Sequence, residues 1–324
     1  MKLAVGFITY NEASAPYLPY FLPSLKTALD FFSVEDYQIL VYDNSDLNYK
    51  LNQQSLENFQ KLAPLIPVHL SATGENQGFS QAYNILINQA RKADAEYFLM
   101  INPDTILEPS AIVTLVQALD QDIKLAAVSP KIKRWDFIKQ QKTNFIDSVG
   151  VVLQPGLKFS DLGQGEIDHG QFDYQPILGP SGAAGLFRLS DLEKIKENGQ
   201  YFDENFFMYK EDCDLDYRLS IAGLSAKLVP EAIVYHDRTA AASQAGFRAW
   251  FLNRRQKSQK IRSWSFLNQH LIFVKYWHTQ NFYSRLLIIW HCFVYLIFSL
   301  ILEQYNLNNY KKMLIFRKVL TNLK

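Results

Sequence analysis

Cysteine is scarce in this chain: Cys213 and Cys292 are its only two, in 324 residues. They make no disulfide framework, which fits a reducing compartment and excludes the disulfide-stapled secreted class. An excess of one charge is also lacking. Thirty-three Lys and Arg stand against 32 Asp and Glu, a formal net charge of +1, so no basic surplus is there to pair nucleic-acid phosphates. No internal repeat or low-complexity tract is visible, which excludes repeat architectures. The first seven residues carry a short apolar run without the small-residue cleavage site of a secretion signal. They read as a first strand, and the expected location is cytoplasmic.

What is present is an alternation. Residues 3–8, 38–42, 68–70 and 97–101 have strand character, and 19–31, 54–62, 81–93 and 109–119 have helical spacing between them. Alternation of this kind implies a parallel, doubly wound sheet. A further strand is expected at 125–129, then a stretch with Gly150, Gly156, Gly163, Gly165 and Gly170 that should form hairpins and a long loop. The length holds one large α/β domain and an appendage. Composition changes near residue 240, so the expected division is a catalytic domain over 1–240 and a helical region over 241–324.

The chemistry gathers at three points. The run Tyr97-Phe98-Leu99-Met100-Ile101 closes on Asn102-Pro103-Asp104, a buried strand ended by proline. A carboxylate there lies at the carboxyl edge of a sheet, where open α/β folds bind ligands. Glu211-Asp212-Cys213-Asp214 precede the apolar-periodic Leu215, Leu219 and Leu224, and so open a helix, where acidic residues are also favoured by the helix dipole alone. His236 ends the strand-like Val234-Tyr235-His236. Carboxylate oxygens with one imidazole suit a divalent cation, and a further carboxylate can act as a base. The set points to phosphate-linked chemistry at a metal.

Six segments in order carry a resemblance: Phe7-Ile8-Thr9-Tyr10-Asn11, Asp43-Asn44-Ser45, Asn76-Gln77-Gly78-Phe79 with Asn84, Asn102-Pro103-Asp104-Thr105, Gly182-Ala183-Ala184, and the run from Phe202 to Leu215. Together they resemble the family 2 glycosyltransferases, in particular the rhamnosyltransferase-like branch, over about the first three quarters of the chain. The resemblance implies a GT-A-type, doubly wound mixed α/β sheet followed by a helical tail. It also implies an inverting, metal-dependent transfer of a hexose or deoxyhexose, such as rhamnose, from a nucleotide-diphosphate sugar to a saccharide or lipid-linked saccharide in cell-surface polysaccharide synthesis.

By that resemblance Asp104 and His236 hold Mg2+ or Mn2+. The triplet has Asn102 where many members carry an acid, so only Asp104 supplies charge there. Asp212, the second acid of its pair, matches the family's base, while Glu211 supports the site. Asp43 matches the carboxylate that reads the base ring, Thr9, Tyr10 and Glu12 lie against the nucleoside, and Asn76 and Gly78 close over diphosphate and ribose. Gly182 and Ala183 are small enough to lie beneath the sugar. Each also has a plainer role: Asp43 and Asp104 as turn residues, His236 as a structural hydrogen-bonder, the small pair as close backbone packing.

Residues 286–302 contain no Asp, Glu, Lys or Arg, at the lower limit for a membrane-spanning helix. They are apolar all round and are expected to be buried in protein or lipid. Crossing would carry Lys311, Lys312, Arg317, Lys318 and Lys324 outward, against the positive-inside tendency. A helix packed on the domain or lying in the interface avoids this. The basic and aromatic residues between Arg248 and Phe266 suit an anionic surface on the inner face of the membrane, the diphosphate of an acceptor lipid, or a solvated helix face. Two rivals remain at this level. A nucleotidyltransferase would want a glycine- and basic-rich loop after the first strand, which Thr9-Tyr10-Asn11-Glu12 is not. A non-catalytic sugar-nucleotide binder or assembly scaffold would have no need of Asp104, Asp212 and His236.

Overall fold

The computed structural model describes residues 1–238 and 258–322, with side chains to 317. The chain divides into two compact units: residues 1–152, 161–207 and 211–243 form the first, and 153–160, 208–210 and 244–324 the second. The boundary expected at 240 and the basic residues from Arg248 to Lys257 lie outside the described residues.

In the first unit β1 (Leu3–Thr9) pairs in parallel with β2 (Tyr37–Asp43) and β4 (Tyr97–Ile101), and β2 with β3 (Val68–Ala72). Helices α2 (Leu18–Leu29), α3 (Leu51–Leu62) and α4 (Gly78–Lys92) return the chain between them, after the single turn α1 (Asn11–Ser14). Next come β5 (Thr105–Leu107), α5 (Ala111–Gln121), the long β6 (Leu125–Asp136) and β7 (Gln141–Ser148). The short hairpin strands β8 (Val151–Gln154) and β9 (Lys158–Asp161) have residues in both units. After β10 (Ala184–Arg188) come α6 (Leu189–Lys194), α7 (Glu211–Ile221) and β11 (Ser225–His236). Among the described residues the main sheet has nine strands in the order β3-β2-β1-β4-β10-β6-β11-β5, with β7 on β6.

Strand periodicity explains the layering. Leu3, Val5 and Phe7, Ile39 and Val41, and Tyr97, Leu99 and Ile101 join one core cluster under α2, α3 and α5. Their neighbours Ala4, Leu40, Tyr42, Phe98 and Met100 join the other, under α4, α6 and α7. Successive side chains of a strand face opposite ways, so strands covered on both faces read as unbroken apolar runs. The parallel expectation holds for β1 to β4, and the sheet as a whole is mixed: β10 enters antiparallel between β4 and β6, and β11 is antiparallel to β5. The helix expected from 109 begins at Ala111, because 105–107 is already spent as an edge strand.

The second unit contains α8 (Gln259–Tyr276), α9 (Phe282–Ile301) and α10 (Leu307–Asn322). Ser258 and Asn281 cap α8 and α9 by accepting from the N–H groups of Ile261 and Ser284. Of the two surroundings expected for 286–302, protein or lipid, burial in protein is not what the described residues show. Only 17% of the apolar window in α9 is buried, at a mean hydropathy of 1.9, and Trp290, Phe293 and Ile297 are exposed. By length and composition this helix is able to cross a membrane.

Candidate active site

The carboxyl ends of β1, β2, β4 and β11 meet at one edge of the sheet. Antiparallel pairing sets His236 opposite Thr105, which brings its ring to the residue before, Asp104. His236 Nε2 lies 3.3 Å from Asp104 Oδ2, and Nδ1 lies 2.8 Å from Oδ2 of Asp147 on β7. Asp147 arrives there because β6 pairs with both β7 and β11. Asp147 is fully buried and also faces Arg238, whose Nη1 donates to Asp161 at 2.9 Å. Asp237 donates its backbone N–H to Asp104 O at 3.0 Å and accepts from Tyr17 Oη at 2.6 Å.

The electrostatics follow from this packing. Burial alone would lower the His236 pKa, but the charge of Asp104 and the hydrogen bonds to Asp104 and Asp147 push it up to about 10. Burial would raise the Asp147 carboxyl, yet its hydrogen bond with His236 and the charge of Arg238 hold it below the usual range.

These residues fit a divalent cation by their own geometry. Asp104 Oδ1 is buried without a hydrogen-bond partner among the described residues, while Oδ2 faces the imidazole. A cation bound here would displace the Nε2 proton, and the carboxylate on Nδ1 would then hold the tautomer that leaves Nε2 as the ligand atom, an arrangement common around metal-binding histidines. Among the described residues no cluster of three or more His, Cys, Asp or Glu side chains is arranged for a metal. Asp104 and His236 would therefore leave most positions to substrate oxygens, as magnesium sites usually do.

A second carboxylate stands near. In the first turn of α7, Asp212 Oδ2 accepts from the Gly182 N–H at 2.9 Å and Oδ1 from the Cys213 N–H at 2.7 Å. Ala183 O in turn accepts from the Asn102 N–H at 2.9 Å. Asp212, the small residues and the Asn102–Asp104 turn thus form one hydrogen-bonded series. Glu211 is buried at the helix start, and Asp214 is buried in an ion pair with Arg218 at 2.9 Å.

On the nucleotide side Asp43 is 1% exposed: Oδ1 accepts from Thr9 Oγ1 at 2.8 Å and from the Ser45 N–H, and Oδ2 from Gln53 at 3.2 Å. Tyr10 and Glu12 stand exposed beyond β1. Asn76 Oδ1 accepts from the Gly78 N–H, and Asn44 Nδ2 donates to Gly78 O, which fixes the entry to α4. Gly78 has φ +77°, and a Cβ there would lie 2.5 Å from Phe207 O, so only glycine fits. Every expected site residue therefore lies along this edge, though Tyr10 and Glu12 touch none of the others by hydrogen bond. Sequence reasoning missed Asp147, Asp237, Arg238 and Tyr17. Asp147 and Tyr17 have no local motif, and only the β6 pairings and the packing of α2 reveal them.

A family model, "Glycosyl transferase family 2", matches residues 4–195. The chain belongs to that family. Among curated relatives, "Rhamnosyltransferase WbbL" of Escherichia coli (strain K12) is 28% identical over 70% of this chain and 84% of its own length. "N-acetylglucosaminyl-diphospho-decaprenol L-rhamnosyltransferase" of Mycobacterium tuberculosis is 28% identical over 73% of this chain and 76% of its own. Among solved structures, the mannosyltransferase PcManGT from Pyrobaculum calidifontis, in complex with GDP-Man and Mn2+, shares the fold. It matches at TM-score 0.52 and 14% identity over 98% of this chain and 86% of that one. The protein is a rhamnosyltransferase-like family 2 glycosyltransferase with a GT-A fold.

Proposed function

We propose that this glycosyltransferase moves a hexose or deoxyhexose, such as rhamnose, from a nucleoside-diphosphate sugar to a saccharide or lipid-linked saccharide, with inversion and with Mg2+ or Mn2+. The observation that carries the reading is the line Asp104–His236–Asp147: a carboxylate with a buried oxygen that has no partner among the described residues, an imidazole, and a buried carboxylate that orients it. Held by Asp104 and His236, the cation would supply positive charge opposite the leaving diphosphate. Asp212, oriented by the Gly182 N–H, takes the proton of the acceptor hydroxyl. That oxygen attacks the anomeric carbon on the face opposite the diphosphate, and the old carbon–oxygen bond breaks with its electrons on the phosphate. The names of both relatives support rhamnose, and that of the Mycobacterium tuberculosis relative supports a lipid-linked acceptor. Residues 1–240 are assigned to catalysis and 241–324 to a helical region that rests on the cytoplasmic face of a membrane, a role the exposed apolar face of α9 suits.

A thermal-shift screen of UDP-glucose, UDP-N-acetylglucosamine, GDP-mannose and dTDP-rhamnose with and without Mn2+ tests the reading. One donor should stabilise the protein by mass action only when the cation is present. Asp104→Ala should abolish that cation dependence while leaving the apo melting temperature in place. Equal donor affinity in chelator and in Mn2+ removes the metal from the proposal.

A further inference from the structure

Residues 179–182 lie against α7 at two points. Gly182 at the end of this loop donates its N–H to Asp212 at 2.9 Å. Gly179 at its start lies over Asp216, one turn beyond Asp212 on the same helix face. A Cβ on Gly179 would fall 2.0 Å from Asp216 Cγ, at an ordinary backbone φ, so size is what demands glycine there. Asp216 is fully buried, and neither of its oxygens has a hydrogen-bond partner among the described residues. Burial, and then the charge of Asp212, push its carboxyl well above the usual range. An apolar side chain of similar shape would be cheaper in such a place, and unpartnered buried polar groups concentrate where function holds them. We propose that Asp216 is a positioning residue for the base: its carboxyl seats Gly179, and through the loop it keeps the Gly182 N–H on Asp212. The catalytic consequence rests on Asp212 being the base, while the seating does not.

Hydrogen exchange at the Gly182 amide reads the seating directly in the full-length protein. Asp216→Ala should raise exchange there by about tenfold or more with the melting temperature unchanged or raised. Asp216→Asn, which keeps the shape, should retain protection. Gly179→Ala alone should disturb the loop, and Gly179→Ala with Asp216→Ala should recover protection as the new methyl fills the vacated space. Transfer is read with dTDP-rhamnose and a synthetic polyprenyl-diphospho-N-acetylglucosamine. There kcat should fall by up to roughly 100-fold in Asp216→Ala, with donor KM little changed, and return in Asp216→Asn and in the double variant. Unchanged Gly182 protection in Asp216→Ala overturns the proposal. So does a loss of protection that tracks a fall in melting temperature with no recovery in the double variant. If Asp212→Asn keeps full transfer while exchange behaves as described, the base assignment fails and the seating stands.

Discussion

Glu211 and Asp212 are neighbours in sequence and differ in surroundings. Glu211 is buried, while Asp212 is half-buried with one oxygen on the Gly182 N–H. Asp212→Asn keeps the shape and removes the base, so transfer should fall by about 100- to 10,000-fold with donor binding retained. Glu211→Gln should cost less, and the reverse order in steady-state assays would mean that the base lies at Glu211. Asp147 gives a further test at this scale. Asp147→Asn leaves the His236 ring without its buried carboxylate, and Mn2+ affinity measured by calorimetry should weaken by about 10- to 100-fold. An unchanged affinity would mean that the Asp147–His236 contact does not support metal binding. The carboxylates and the histidine were legible in the sequence because strand ends and helix starts announce themselves through proline, acidic clusters and apolar runs. Asp147 was not, because a long-range strand pairing brings it to His236 and no local pattern records it.

Among the elements, β1 to β4 and their helices were readable because parallel strands buried on both faces leave apolar runs of distinctive length. The segment from 125 to 188 was harder. β6 continues to Asp136, well past its expected end, and carries charged residues that a period of two would send to solvent. Lys131 and Lys133 instead meet Asp168, from the loop after β9, at 3.0 and 2.8 Å. Burial opposes the charge on Asp168, but Lys133, the Gly170 N–H and Lys131 together lower its pKa to about 2. A carboxylate depressed in the folded state adds stability above its unfolded pKa, near 3.9, and loses it as pH falls through about 2. Asp168→Asn should therefore lower unfolding free energy at pH 7 by on the order of 2 kcal/mol. It should also flatten the acid limb of a urea-denaturation series between pH 4 and 2. An unaltered acid limb would mean that the two lysines find other partners.

On the scale of the whole molecule, the exposed apolar residues of α9 call for a cover. Trp290, Phe293 and Ile297 recur on one side of that helix and are each more than 40% exposed. Glutamates at all three should abolish co-sedimentation of the full-length protein with anionic vesicles and leave donor binding unchanged. Retained co-sedimentation would place the membrane contact elsewhere, and protease protection of the C-terminal segment in sealed vesicles would establish a true span. The sequence announced the apolar run but not its surroundings, since hydropathy alone reads the same for a core helix and a surface one.

The entry of β10 between β4 and β6 also bears on how the polypeptide is made. A ribosome delivers β4 and Asp104 early, but the strand that completes their edge is synthesised only after β6 to β9, and His236 later still. At about 5 to 20 residues per second, the stretch from Ile101 to Ala184 takes roughly 4 to 17 seconds. Until then the nascent sheet presents an open, apolar edge at β4, and neither the proposed metal pair nor the Gly182–Asp212 contact exists. Catalytic competence is therefore the last property this domain acquires, and the emerging chain is most exposed to misassociation while β4 waits for its neighbour.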